Sequence, residues 1–242
     1  MNTVYRAHWI GDGLDDFSEE DYQIEDLLEP LEEERAKGGV KSANEWNDAI
    51  IAVGTGYGCV VQGAQDRFVV TAAHCLPELP PCDSGNVDRR SYYPALLGPP
   101  GGQKCVAAAC GFADPISGIA VLGLPNGIES PEEFDQYAKL AETATPLSIA
   151  EPPPVGLVWI PSPSGEWQSY VAISKGENLL ISLDNSFVGM TGAPIVSDNG
   201  TAVGVVCPEL WRMLRMHQLT LVGSIPRRLW RILDIAAPSM PF

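Results

Sequence analysis

Short apolar runs separated by turn residues dominate the chain from about residue 48 onward. Each run has four to eight residues, is rich in Val and Ile, and is bounded by Gly, Pro, Asn or Asp, which is typical of β-strands joined by turns. The runs are AIIAVG, GCVVQG, RFVVTAA, KCVAAACGF, GIAVLGL, VGLVWIP, SYVAISK, NLLISL, APIVSDNGTAVGVV and LTLVGSI. About ten such strands in one chain predict an all-β sandwich or barrel.

The segments between and around these runs predict turns and two helices. Asp198-Asn199-Gly200 supplies the turn of the clearest hairpin, and the Pro- and Gly-rich stretch Leu76–Gln103 is expected to be a long surface excursion. Apolar residues at three and four spacings predict a short amphipathic helix within Glu19–Lys37, broken at Pro30. A second helix is expected at Pro226–Ile235, close to the C-terminus.

Charge divides the chain into two parts. The 242 residues carry 31 acidic and 15 basic side chains, a net charge of −16. Residues 1–35 hold 12 acids and 2 bases, a net of −10, so the acidity is largely N-terminal. We therefore predict an acidic extension over residues 1–47 and a β domain over residues 48–242, with two lobes split near residues 125–155. The extension is either a solvated face or a docking segment for a basic protein partner.

The overall charge and hydropathy also bear on which classes of partner are expected. An acidic chain repels the phosphate backbone, so a nucleic-acid ligand is not expected. The chain does not open with a basic and then apolar signal segment, and no run of about 18 apolar residues occurs. These features predict a cytoplasmic protein with no membrane association and a protein or peptide as its partner.

His74 is the first candidate for chemistry. It lies next to the end of the apolar string Phe68-Val69-Val70-Thr71-Ala72-Ala73-His74-Cys75. On the residues alone, a single histidine after a strand is more often structural than catalytic. The string, however, closely resembles the histidine motif of the trypsin-like (chymotrypsin-fold, S1-type) serine peptidases. That resemblance implies a double six-stranded β-barrel, with the N-terminal helical extension and the C-terminal helix attached, and a general-base role for His74.

Two further strings resemble the remaining catalytic motifs of the same family, and each departs from it at one residue. Gly189-Met190-Thr191-Gly192-Ala193-Pro194 lies where the nucleophile motif is expected, with Thr191 in place of serine. The resemblance implies an oxyanion hole formed by the backbone N–H groups of Gly189 and Thr191. The string Gly118-Ile119-Ala120-Val121-Leu122 resembles the aspartate strand, with Gly118 in place of the aspartate.

These departures predict lost or very weak activity. The family aspartate orients the imidazole and stabilises the imidazolium, and blocking that role in a serine peptidase lowers turnover by about 10⁴. Asp114 lies four residues before Gly118, roughly 13 Å along an extended strand, and is a poor substitute at that distance. Thr191 keeps a hydroxyl, but its methyl group restricts χ1 and the attack geometry.

The resemblance also implies a specificity pocket. Its residues would be Asn185 together with Cys207-Pro208-Glu209, where relatives carry small residues and Gly. Pro208 lacks the N–H that a strand needs for pairing with a substrate main chain.

The six cysteines leave a disulfide and a metal site open. Cys59 lies 16 residues before Cys75, the spacing of a disulfide in many secreted relatives, so the resemblance implies that these two can pair. Without a signal segment, free thiols are the alternative. Cys105 and Cys110 face opposite sides of one predicted strand and do not suit a tetrahedral site. We expect no metal and no cofactor.

Three functions follow from the sequence. The first is a trypsin-like peptidase homologue without activity that works as a binding or regulatory module. The second is an active serine-type endopeptidase-like hydrolase that uses a His74–Thr191 dyad. The third is a scaffold whose acidic extension captures a partner.

Overall fold

The computed structural model describes residues 30, 31, 33, 44–79, 91–114, 117–125, 130–175, 178–182, 189–207 and 219–224. Most of the acidic extension and the expected helix at Pro226–Ile235 lie outside these residues. The described strands follow the apolar runs of the sequence closely, since every run that the pattern predicts corresponds to a strand. The Val- and Ile-rich composition favours extended backbone because β-branched side chains pack well on a pleated surface.

Six strands close into a first barrel in the order β1-β2-β3-β6-β5-β4, with all pairs antiparallel. Closure through the β1–β4 pair removes the free sheet edges that an open sheet would expose. The strands are β1 Ile50–Val53, β2 Gly56–Gln62, β3 Arg67–Ala72, β4 Ser91–Gly98, β5 Val106–Asp114 and β6 Ile119–Gly123.

Six further strands close into a second antiparallel barrel in the order β10-β11-β12-β9-β8-β7. The hairpin between β10 and β11 turns at Gly200, whose φ is +85°, as the Asp-Asn-Gly sequence predicts. The strands are β7 Val155–Pro161, β8 Trp167–Lys175, β9 Asn178–Ser182, β10 Pro194–Ser197, β11 Ala202–Val205 and β12 Leu219–Ser224.

Strand β4 corrects the interpretation of Leu76–Gln103 as one surface excursion. The strand contains Pro94, and its pairing with β5 shifts register between Tyr93 and Leu97. Ala95, inside this irregularity, has a φ of +52°. Proline is tolerated in strands at bulges, where no ladder hydrogen bond is lost. The proline-rich composition therefore concealed a bulged strand.

The two barrels share a hydrophobic core and a linker. The linker carries helix α2, Pro131–Thr143, whereas the short helix α1, Asn44–Asn47, precedes β1. Past α2, Leu147 pairs with Val61 of the first barrel and Ile149 with Ala202 of the second. One buried cluster takes residues from both barrels: Cys59, Val61, Val70, Ile119 and Val121 from the first, and Trp159, Trp167, Val196, Ala202 and Val205 from the second.

The all-β barrel fold implied by the sequence resemblance is confirmed. The apolar area in the shared cluster, at about 25 cal/mol per Å² removed from water, resists separation of the barrels. None of the helices in the described segments has the length and apolar character of a membrane span. The buried cluster shared by the two barrels holds the residues that each contributes at fixed positions relative to each other.

Candidate active site

His74 lies at the point where strand β3 of the first barrel ends. It occupies the middle of a single 3-10 turn, Ala73–Cys75, and is half-buried between two buried neighbours. The N–H of Ala73 donates to the carbonyl of Gly118 at 2.7 Å, which continues the pairing of β3 with β6 by one residue. The small side chains of Ala72 and Ala73 allow this tight turn inside the core, and it projects the imidazole at the rim of the barrel.

The Thr191 loop comes from the second barrel and rests directly on the first. The carbonyl oxygen of Thr191 accepts the N–H of Tyr57 at 2.8 Å, and the thiol of Cys75 lies 3.6 Å from the same oxygen. The structure therefore brings the residue after His74 into contact with the residue expected to be the nucleophile. Thr191 itself is half-buried.

Two glycines give the Thr191 loop its shape. Gly189 has a φ of +94° and Gly192 a φ of +80°, values that L side chains rarely adopt. Gly192 also packs tightly, since a Cβ there would lie 2.1 Å from the carbonyl oxygen of Tyr57. Gly189, the expected first oxyanion donor, is exposed, and Met190 between the expected donors is buried in the core of the second barrel.

Gly118, at the expected aspartate position, lies beside the His74 turn as the resemblance implies. Its carbonyl oxygen is the partner of the Ala73 N–H described above. Its φ is +68°, in the left-handed region, where a side chain costs roughly 1–2 kcal/mol. The backbone conformation at position 118 therefore favours glycine.

Asp114 is closer to this position than an extended strand would allow. The Cα partner of Asp114 is Ile119, so the chain turns back between the last residue of β5 and the first residue of β6. This hairpin corrects the separation of roughly 13 Å that an extended chain gives, because paired Cα atoms lie about 5 Å apart. The buried Asp114 carboxylate accepts the Ser117 hydroxyl at 2.6 Å and the Ser117 N–H at 3.3 Å.

Cys207 lies behind the imidazole of His74. Its Sγ is 3.8 Å from His74 Nδ1 and 3.7 Å from the Gly118 carbonyl oxygen, and the residue is 2% exposed. The sequence places Cys207 in the predicted specificity pocket, and the structure shows its thiol in contact with the His74 ring. The other expected pocket residues, Asn185, Pro208 and Glu209, lie outside the described residues.

The disulfide between Cys59 and Cys75 is corrected, because both residues are free thiols. Cys59 packs in the cluster shared by the barrels, whereas Cys75 packs in the core of the first barrel. The position that faces the Cys75 sulfur is Gly56, where a Cβ would lie 2.7 Å from Sγ. Burial raises the pKa of Cys59 to about 12 and also raises that of Cys75, so both thiols stay protonated and unreactive near neutral pH.

The part of the chain that the structure describes contains no set of side chains that could bind a metal ion. No three His, Cys, Asp or Glu side chains cluster there closely enough to hold an ion. Cys105 is exposed and precedes β5, whereas Cys110 is buried within that strand, so the two do not lie on one strand, contrary to the sequence prediction.

Comparisons with known proteins bear on the fold. No family model matches the chain, and no curated protein matches it. A structure solved in work on the coupled folding and binding of the intrinsically disordered VPg protein of Sesbania mosaic virus has a TM-score of 0.52 at 14% identity, covering 77% of this chain and 90% of its own. At that identity the likeness shows a common fold.

Two proteases are also similar at lower TM-scores. The serine protease of a human pathogenic astrovirus has a TM-score of 0.43 at 16% identity, covering 75% of this chain and 92% of its own. The MamO protease domain of Magnetospirillum magneticum has a TM-score of 0.46 at 14% identity, covering 80% of this chain and 98% of its own.

Proposed function

We propose that this protein is a trypsin-like serine peptidase homologue that binds a protein or peptide without cleaving it. The observation that carries the proposal is Gly118: the residue before β6, beside the His74 turn, has no side chain and a φ of +68°. An aspartate at this place orients the imidazole and stabilises its charged form during catalysis. In the proposed binding function the two barrels are retained and cleavage of a peptide bond is lost.

Thr191 supports the same proposal from the second barrel. Its Cβ carries a methyl group as well as the hydroxyl, so the rotamer that directs the hydroxyl at His74 fixes where the methyl must go. Reacting atoms have to approach to about 3 Å with aligned orbitals. The methyl competes with a substrate carbonyl for that space, which lowers the rate even where the hydroxyl is activated.

The backbone of the Thr191 loop supports a binding role. Gly189 and Gly192 have positive φ values. The N–H groups of Gly192 and Ala193 donate to the carbonyls of Val206 and Met190, so the candidate donors toward a ligand are the N–H groups of Gly189 and Thr191. Such N–H groups can hold a carbonyl or carboxylate oxygen of a bound peptide in the ground state, with no bond broken. A partner that presents an extended segment with a free C-terminal carboxylate fits this arrangement.

A second candidate function is a hydrolase that uses His74 and Thr191, with Asp114 as the orienting carboxylate. The β5–β6 hairpin favours it, because it returns the buried Asp114 to the strand end that holds Gly118. The Ser117 hydroxyl and N–H both donate to Oδ2 of Asp114, which holds the carboxylate in place.

Labelling with a fluorophosphonate probe separates the two candidates. We expect no labelling of the native protein and none of Thr191→Ala, the background control. Labelling of the native protein above that background contradicts the binding proposal. If the label is then lost in Asp114→Asn while the melting temperature is kept, the Asp114 hydrolase is supported instead.

Thr191→Ser is the matched variant for the methyl group. A serine hydroxyl in an otherwise intact loop should be labelled slowly, because the oxyanion donors remain. Thr191→Val removes the hydroxyl and keeps the branched shape, so it controls for changes in packing. Equal labelling of the Ser and Val variants would show that the loop does not present the residue to a substrate.

A further inference from the structure

The buried thiol of Cys207 contacts two groups at once, and these contacts bear on the state of His74. Sγ lies 3.8 Å from Nδ1 of the imidazole and 3.7 Å from the carbonyl oxygen of Gly118. Both distances are within the range in which sulfur hydrogen-bonds. At 2% exposure the residue has little access to water that could replace either contact.

Among these three groups, the proton inventory favours one arrangement. A carbonyl oxygen only accepts, so the single S–H proton of Cys207 points at Gly118. The sulfur then offers lone pairs to Nδ1, and Nδ1 is the donor in this arrangement. In the reverse arrangement the S–H would point at Nδ1, and the sulfur lone pairs would face the lone pairs of the Gly118 oxygen.

The Gly118 oxygen can take part because it has two lone pairs. One of them accepts the Ala73 N–H at 2.7 Å, which fixes the carbonyl as part of the β3–β6 pairing. The second remains for the thiol. The left-handed backbone of Gly118, with φ +68°, sets the direction of this carbonyl. Gly118 therefore provides the acceptor for the Cys207 thiol through its backbone.

We propose that Cys207 is a positioning residue that holds neutral His74 as the Nδ1–H tautomer, by a relay from Nδ1–H to Sγ and from S–H to the Gly118 carbonyl. The hydrogen bond of one ring nitrogen sets which nitrogen carries the proton. Nε2 then has its lone pair free of the proton and accepts a hydrogen bond from a hydroxyl or N–H group at the site. The inference concerns the imidazole alone and holds whether or not the chain cleaves a substrate.

The tautomer is measured by nitrogen NMR on the full chain. The chain has three histidines, so a His8→Gln, His217→Gln background leaves His74 as the single imidazole signal. Spectra are recorded at roughly pH 8.5, two units above the ordinary histidine pKa of about 6.5. We expect Nδ1 to show the shift of a protonated nitrogen and Nε2 that of an unprotonated one. The opposite pattern would overturn the proposal, and this measurement needs no substitution at the site itself.

Substitutions at Cys207 test whether its thiol causes the tautomer preference of His74. Cys207→Ala removes both contacts, and the ratio of Nδ1–H to Nε2–H should fall about fivefold, as expected for one ordinary hydrogen bond. Cys207→Ser keeps an acceptor and a donor and should restore most of the ratio. Cys110→Ala is the control, because Cys110 is also buried but its thiol donates to the Phe112 carbonyl.

An unchanged ratio in Cys207→Ala, with folding confirmed by the amide spectrum, overturns the proposal. A ratio that changes in Asp114→Asn and not in Cys207→Ala would assign the orienting role to the carboxylate instead. Neither result depends on fluorophosphonate labelling, so the relay and the binding function can fail separately.

Discussion

Replacing Gly192 with alanine tests how tightly the Thr191 loop is held against the first barrel. An added Cβ would lie 2.1 Å from the Tyr57 carbonyl oxygen and 2.6 Å from Thr71 Oγ1, whereas real Cβ atoms essentially never come within 3.0 Å. Relief requires a shift of at least 0.9 Å, and the closest atom is backbone rather than a side-chain end. Strand β2 or the loop must therefore move.

Gly165→Ala is a matched control for the backbone angle. Gly165 has a φ of +84°, against +80° for Gly192, but nothing lies within 4 Å of its added Cβ. Its substitution should cost only the left-handed penalty, about 1 kcal/mol. Gly192→Ala carries the same penalty plus overpacking of about 2 kcal/mol, for a total of about 3 kcal/mol.

Urea unfolding followed by tryptophan fluorescence measures both changes. The six tryptophans include Trp159 and Trp167 in the cluster between the barrels, so the fluorescence reports the loss of packing between the barrels on unfolding. We expect the free energy of unfolding to fall about 2 kcal/mol further in Gly192→Ala than in Gly165→Ala. Losses equal within about 0.5 kcal/mol would refute the close contact between the loop and β2.

Three other results are expected. Tyr137→Phe should destabilise by about 1–2 kcal/mol, because the buried hydroxyl contacts two backbone carbonyls at 3.1 and 3.2 Å; exposed Tyr92→Phe should cost under about 0.5 kcal/mol by the same urea assay. Stability should decrease from about pH 9 to pH 11, by roughly 1.4 kcal/mol per pH unit for each buried thiol, since burial raises the pKa of Cys59 to about 12 and of Cys110 to about 11 from an ordinary 9.0. The unfolded state binds fewer protons across that range, and Cys59→Ala should make the decrease shallower; a stability that stays level to pH 11 contradicts the burial. Deleting residues 1–37 should abolish capture of a basic partner protein in a pull-down while leaving the melting temperature unchanged, and capture that survives the deletion rules out the acidic segment as the docking element.

The strands were predictable because their signal is local. Alternating turns and β-branched runs occur within a few residues of each other, and the structure forms a strand at each run. Strand β4 was missed because Pro94 breaks the pattern, and a proline is compatible with a strand only when a bulge exists, which depends on the partner strand. Helix α2 did carry a signal, Ser130-Pro131-Glu132-Glu133, an N-cap residue followed by Pro and two acids in the first turn.

The site was predictable in its position and not in its contacts. The strings around His74 and Thr191 lie on neighbouring segments, as the resemblance implies. Spacing along the chain gave the wrong partner for Cys75, because the residue opposite it depends on where β2 begins, and that is Gly56. It also overstated the distance from Asp114 to Gly118, since the turn between them is a tertiary feature of the β5–β6 pair.

The residues of this site differ in whether packing or backbone hydrogen bonds constrain them. Gly192 cannot accept a side chain without moving backbone, because the first barrel occupies the space. At Gly118 and Thr191, by contrast, the observed hydrogen bonds are the Ala73 N–H on the Gly118 carbonyl and the Tyr57 N–H on the Thr191 carbonyl. Both of these bonds use backbone atoms, which are available whatever the side chain is. The bond at Thr191 therefore does not depend on which side chain stands there, whereas the φ of +68° at Gly118 would strain any side chain. The loop and turn geometry that a bound peptide would contact is thus compatible with the proposed binding function.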